Sequence, residues 1–362
     1  MIPVMQPRLP TVGEVQSLLE EMDHVRQYTN YGPLVQRLEF EYSKFFGVDP
    51  KQIVALQNAT LALTGAISVS APTKWYVPDY TFAATPLSVV AANKELVLVD
   101  INPLDLKIDL SLLADEADVE ILGLVPVMPF GSPIELSSYS RFPNVVIDAA
   151  ASIGTPMPDF GSLRENWYVV FSLHATKILG CGEGAIVICG SVEKARELRS
   201  WSGFGFKATR KSEIVGTNAK MPEMSAAYAL TALRLYAQEL EQWIAAKELA
   251  SNLVVPSNIK NDIVTWPGIR PYWIIECDDA SQLDVLKTRL KSQGIETRKW
   301  WPAAISEQQF FSNSTYPLIK DESEESLYSV KASSRHLGLP MYRGLSEESL
   351  NMISEVMNTY LD

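Results

Sequence analysis

The 362-residue sequence has few cysteines and few histidines, three of each. Cys181, Cys189 and Cys277 follow no metal-ligand or disulfide-framework spacing, so a reducing compartment is expected. His24, His174 and His336 are scattered singly and form no ligand pattern, which argues against a metal site. Basic runs are missing as well. With 31 Lys and Arg against 43 Asp and Glu, the formal net charge is −12, and most of such a surface repels a polyanion. No nucleic-acid partner is expected. No stretch approaches ~20 uninterrupted apolar residues, so no membrane-spanning helix is expected. The N-terminal residues MIPVMQPRLPTVGEVQ lack the basic and apolar regions of a secretory signal. Taken together, these absences point to a cytoplasmic globular protein. Hydrophobic residues at 47% and charged residues at 20% suit that class, and the length allows a large α/β domain with an appended lobe.

What is present is an alternation. Thr11 to Tyr28 reads as a helix, with Thr11 as N-cap and Glu14 completing a capping box. In GPLVQRLEFEYSKFFGV (32–48), Leu34, Leu38, Tyr42 and Phe45/Phe46 recur at helical spacing until Gly47 stops the helix. Short apolar strands then alternate with helical patterns: KQIVAL before NATLALTGAISV, KWYVP before TFAATPLSVVAAN, then ELVLVDI, EILGLVPV and NVVIDAA. This order predicts a mostly parallel sheet between helices. VVFSLHATKILGCGEGAIVI (169–188) reads as two arms of a hairpin, one antiparallel addition to that sheet. A long helix over 222–250 suits a bridge between two lobes. PYWIIECDD, SQLDVLKTRLKSQGI and ETRKWW then read as β-α-β, followed by a terminal helix from Ser346. The expected division is a large domain over 1–240 and a smaller α+β domain over 241–362.

The hairpin raises a chemical question, because it places Lys177 among Ser172, His174 and Thr176, between two apolar strands. Asp148 ends a predicted strand 29 positions earlier, at the sheet edge where α/β proteins bind ligands. Singly, the aspartate is as readily a helix cap, and a turn lysine is usually solvated. Together they match pyridoxal 5'-phosphate, which needs a lysine for its aldehyde and a buried carboxylate to keep its pyridine nitrogen protonated. Asn58, Ala59 and Thr60 lie between a strand and the first turn of a helix, where free N–H groups can hold a phosphate. Ser172 can add a hydroxyl. Tyr80 and Phe82 follow another strand, and either can stack on a ring or belong to the core.

The succession NATLAL, VPDYTFAAT, VIDAAAS, FSLHATKILGCGEGAIV and GTNAKMPEMSAAYAL resembles the DegT/StrS family of sugar aminotransferases over nearly the whole chain. The resemblance implies a fold type I aminotransferase with a mostly parallel, seven-stranded-type mixed sheet. It implies Lys177 as the covalent anchor, Asp148 as partner of the pyridine nitrogen, and Ala59, Thr60 and Ser172 as phosphate ligands. Phe82 would cover the ring, and Asn218 would reach the phosphate from a neighbouring subunit, so a homodimer with shared sites is implied. L-glutamate is the implied donor and a nucleotide-linked keto-sugar the acceptor, C4 of a dTDP-4-keto-6-deoxyhexose being preferred over C3. His174, Lys220, Arg298, Trp300 and Trp301 are the candidate substrate contacts.

Two features test that likeness. Family members with histidine in place of the lysine are dehydratases, and Lys177 argues against that reading. The family's D-A-A-Q stretch, whose glutamine serves the cofactor's ring hydroxyl, is here Asp148-Ala149-Ala150-Ala151. A substitute donor is expected among Ser152, His174 and water; a strand pattern that continues through Ser152 turns it to the far side and favours water. A regulatory protein that binds the ligand without turnover is the competing reading from another class.

Overall fold

The computed structural model describes residues 1–116, 121–253, 255–264, 266–314 and 316–359. Helices α1 (Val12–Val25) and α2 (Pro33–Phe46) come first. Thr11 and Glu14 form the expected capping box, and α2 buries Leu34, Leu38, Tyr42 and Phe46 before Gly47 ends it at φ 69°. The alternating region follows as β1 (Ile53–Leu56), α3 (Ala59–Ser68), β2 (Lys74–Pro78), α4 (Ala84–Ala91), β3 (Glu95–Val99), β4 (Leu122–Leu124) and β5 (Asn144–Asp148). The hairpin arms are β6 (Trp167–Ser172) and β7 (Ala185–Cys189), followed by α5 (Val192–Ser202) and the 29-residue α6 (Glu223–Ser251). Of the strand expected from EILGLVPV, Glu120 lies outside the described residues.

These strands form one mixed sheet in the order β1-β7-β6-β5-β4-β2-β3, buried on both faces by helices. β7 runs antiparallel to both β1 and β6; the rest are parallel. This is the expected α/β architecture, with one addition. The C-terminal half supplies an eighth strand, β10 (Leu318–Ile319), which pairs parallel to β3 through Leu318↔Leu98 and Ile319↔Val99.

The remaining elements are β8 (Ile259–Asn261), β9 (Trp273–Cys277), α7 (Ala280–Ser292), α8 (Gln309–Ser312), β10 (Leu318–Ile319), α9 (Tyr328–Arg335), β11 (His336–Leu339) and α10 (Glu347–Asn358). A second, three-stranded sheet runs β11-β9-β8, antiparallel throughout. The β-α-β reading of this region is corrected here: ETRKWW is not a strand of the sheet. The segment meets the outer edge of β11 at one point only, where Arg298 N donates to Gly338 O at 3.0 Å and Gly338 N donates to Arg298 O at 2.8 Å, an isolated antiparallel bridge. Pro302 then lacks the N–H that a ladder would need. Trp300 and Trp301 instead turn toward the seam between the sheets.

That seam is held by polar as well as apolar contacts. Asp79, after β2, accepts from Ser306 N at 2.7 Å, Ser306 Oγ at 2.8 Å and Ser329 Oγ at 2.7 Å. Asp100, after β3, accepts from Tyr328 N and Ser329 N, capping α9 from the first sheet. Among the described residues, no helix is long and apolar enough to cross a membrane.

Candidate active site

A cavity of about 630 Å³ opens where the C-terminal ends of β5 and β6 meet the N-terminus of α3. Asp148 is the last residue of β5 and is buried. Its Oδ2 accepts from Thr85 Oγ1 at 2.8 Å and its Oδ1 from Ala150 N at 3.1 Å. Burial pushes this carboxyl up from its ordinary value, while those two bonds and the charge of Lys177 pull it back. A carboxylate has about four acceptor positions, so capacity remains on the cavity side.

Lys177 sits in the turn between β6 and β7. The turn is built by backbone bonds, from Leu173 N to Gly184 O, Ala175 N to Gly182 O and Lys177 N to His174 O. The Lys177 Nζ donates to Tyr272 Oη at 2.6 Å. Ser172, also buried, closes β6, and its Oγ accepts from His174 N at 3.2 Å. Asn58 caps α3 by accepting from Leu61 N at 2.9 Å. The N–H groups of Ala59 and Thr60, in the first turn, have no helical carbonyl to bond and face the same cavity.

The expected residues therefore separate into two groups. Ala59, Thr60, Phe82, Asp148, Ser172, His174, Lys177, Arg298, Trp300 and Trp301 line one cavity. Asn218 and Lys220 do not. Lys220 Nζ donates to Asn218 Oδ1 and lies 4.4 Å from the Phe204 ring centroid, beside a different cavity of about 890 Å³. Of the two candidate aromatics, Tyr80 is buried and bonds His336 Nδ1 at 3.0 Å, whereas Phe82 is 62% exposed at the cavity.

The gap left by glutamine is visible. Ala151 contributes only a methyl to the cavity wall. Ser152 is fully buried and donates to Ser132 O at 3.1 Å. The strand ends at Asp148, so it is a turn, closed by Ser152 N to Ala149 O at 3.0 Å, and not strand alternation that directs it away. His174 is engaged locally, its Nδ1 2.8 Å from Thr176 Oγ1 and its Nε2 3.8 Å from Glu183 Oε1. The turn at 128–132 presses against this wall. Phe130 lines the cavity at φ 51°, and a Cβ on Gly131 (φ 88°) would fall 2.4 Å from Ala151 O.

Sequence reasoning missed Tyr272 and Phe130. Trp301 stacks on Phe130 at 4.2 Å, and Tyr272 meets Trp300 edge-on at 4.9 Å. The one signal for Tyr272 was its place just ahead of a strand, too common a position to single it out.

The residues present fit pyridoxal 5'-phosphate. A buried carboxylate with spare acceptor capacity, an amine, and a helix N-terminus with a hydroxyl beside it share one cavity. Those are the groups its ring nitrogen, aldehyde and phosphate require. Similarity agrees with the geometry. The chain is 28% identical to a dTDP-4-amino-4,6-dideoxy-D-glucose transaminase of Shigella dysenteriae, over 97% of this chain and 96% of the relative. It is 26% identical to a dTDP-3-amino-3,4,6-trideoxy-alpha-D-glucose transaminase of Streptomyces venezuelae, over 76% and 74%. A solved Bacillus cereus structure, assigned as a PLP-dependent aminotransferase, superposes with a TM-score of 0.86 at 25% identity, covering 99% of both chains. With residues 11–358 matching its family model, the chain belongs to the DegT/DnrJ/EryC1/StrS aminotransferase family.

Proposed function

We propose that the protein moves the amino group of L-glutamate onto a nucleotide-linked keto-sugar, at C4 of a dTDP-4-keto-6-deoxyhexose. The observation that carries this reading is the convergence of Lys177, Asp148 and the first turn of α3 on one cavity. The Shigella relative's name supports the C4 product, and the Streptomyces relative's name supports C3 as the second reading.

Pyridoxal 5'-phosphate, when bound, supplies an electron sink for the carbon that loses or gains the amine. The chain's own residues do the rest. Lys177 Nζ would anchor the aldehyde and, once freed, would serve as the base that moves a proton between carbons. Asp148 would accept a hydrogen bond from the ring nitrogen and keep it protonated. Ala59 N–H, Thr60 N–H and Ser172 Oγ would hold the phosphate, and Phe82 would cover the ring. His174, Arg298, Trp300 and Trp301 stand at the outer wall, where the sugar enters. Arg298 there pairs with Glu296 at 3.1 Å and lies 4.9 Å from the Trp300 ring centroid.

The same reading makes the active unit a cytoplasmic homodimer with shared sites. Asn218 and Lys220 lie off the cavity within one chain, which fits delivery to a second copy's phosphate and substrate. Phe82, Phe204, Val215 and Met224 are exposed apolar side chains that such a copy would cover. The test is turnover of glutamate with a panel of dTDP- and UDP-keto-sugars, with the product identified by NMR. A C4 amino sugar is expected. Mixing Lys177→Ala and Asn218→Ala copies should restore activity through one intact site per heterodimer; mixtures as dead as the parents would contradict shared sites.

A further inference from the structure

We infer that Tyr272 is a positioning residue for Lys177, fixing the lysine amine at the cavity wall whenever that amine is not bonded to the cofactor. This deepens the functional reading above and rests on it. A lysine ammonium rides on a flexible four-carbon stem, so its location in an open cavity must be set by a partner. Here the partner is a phenol. Lys177 Nζ donates to Tyr272 Oη at 2.6 Å, the single hydrogen bond to that nitrogen among the described residues, and lies 5.0 Å from the ring centroid.

The phenol is itself fixed. Tyr272 directly precedes β9 of the second sheet, and its ring meets Trp300 at 4.9 Å and 69° and Phe130 at 6.2 Å and 70°. Asp148, by contrast, acts on Lys177 through charge without a hydrogen bond. Ala151 offers the cavity no polar group, so the hydroxyl beside the lysine comes from across the seam.

In the loading step, Nζ of the neutral amine bonds to the aldehyde carbon. The aldehyde oxygen leaves as water, taking the two amine protons with it. Tyr272 exchanges no atom in this step. It holds Nζ within reach beforehand and takes it back each time a substrate amine displaces the lysine.

The test uses the full chain freed of cofactor. Tyr272→Phe keeps the ring contacts and removes the hydroxyl. Stopped-flow absorbance follows capture of pyridoxal 5'-phosphate, while calorimetric titration with pyridoxamine 5'-phosphate, which has no aldehyde, reports the rest of the pocket. Capture is expected to slow about ten-fold with pyridoxamine 5'-phosphate affinity unchanged. In the glutamate half-reaction, kcat should fall and KM stay. Capture at the wild-type rate overturns the inference, as does an equal loss of pyridoxamine 5'-phosphate affinity, which would make Tyr272 part of the pocket wall. Wild-type protein that captures no aldehyde at all would overturn the functional reading itself, a distinguishable result.

Discussion

The two walls of the cavity are built in different ways. On the side of the eight-stranded sheet, short polar groups are placed by backbone geometry. Asp148 and Ser172 are the last residues of adjacent strands in fixed register, Asp148 opposite Val170 and Ser172 opposite Ala185, and Ala59 and Thr60 open a helix. Facing them, Tyr272, Trp300 and Trp301 from the C-terminal half, with Phe130 from the turn after β4, are placed by packing ring against ring. Backbone register tolerates little displacement, which suits groups that must meet a reacting atom. Ring packing tolerates exchange of one flat group for another, which suits a wall that adapts to different sugars. In the proposed function, the first wall would carry the reaction class and the second the choice of substrate.

The comparison breaks most readily at Lys177, the residue both walls share. Lys177→Ala should lower glutamate turnover by about a thousand-fold or more, measured as 2-oxoglutarate release, with the fold unchanged by circular dichroism.

A smaller effect tests the seam between the walls at His336, on β11, whose Nδ1 meets Tyr80 from the first sheet. Burial pushes the His336 imidazole down from 6.5 to about 4. Between these values the unfolded chain binds a proton that the folded chain refuses, so this residue makes stability rise with pH from about 4 to 6.5 and fall on acidification. Asp79 opposes it: burial raises its carboxyl from 3.8 to about 6, so its contribution falls as pH rises through that range. Comparing wild type with His336→Phe by urea unfolding isolates the histidine. The stability difference should shift in favour of wild type by up to about 3 kcal/mol between pH 4 and 6.5. A pH-independent difference would mean the histidine is solvated.

The smallest effect sharpens the first wall alone. Ala151→Gln should restore a ring-hydroxyl donor and tighten cofactor binding by up to about 1.5–3 kcal/mol. Ser152→Ala should leave cofactor binding unchanged and cost about 1 kcal/mol of stability through the lost bond to Ser132 O. Cofactor dissociation constants for both variants decide this. A loss of affinity in Ser152→Ala without a gain in Ala151→Gln would place the donor at the serine.

The first wall was legible in the sequence because its elements are local. Apolar runs of four to six residues marked β1, β5, β6 and β7. Ala59, Thr60, Asp148 and Ser172 sit at their ends, where the alternation of strand and helix makes every terminus a site. The second wall was not. Tyr272 reaches Lys177 across 95 residues of sequence, and Phe130 joins it from a non-helical turn with no period. β10 is two residues long and follows Pro317, too short for any periodicity to reveal, and its register depends on the open edge of β3. ETRKWW has a strand's composition, yet it touches the open edge of β11 only through the Arg298–Gly338 bridge before Pro302 removes the next donor. Occupancy of a sheet edge is a global property, which local pattern does not encode.

The central claim is that Lys177 is the amine this cavity was built around. The direct measurement is borohydride reduction of the protein loaded with pyridoxal 5'-phosphate, followed by peptide mass mapping. The expected result is a single phosphopyridoxyl group on Lys177, lost when glutamate is added before reduction. A label on another lysine, or one that glutamate does not remove, would contradict the account.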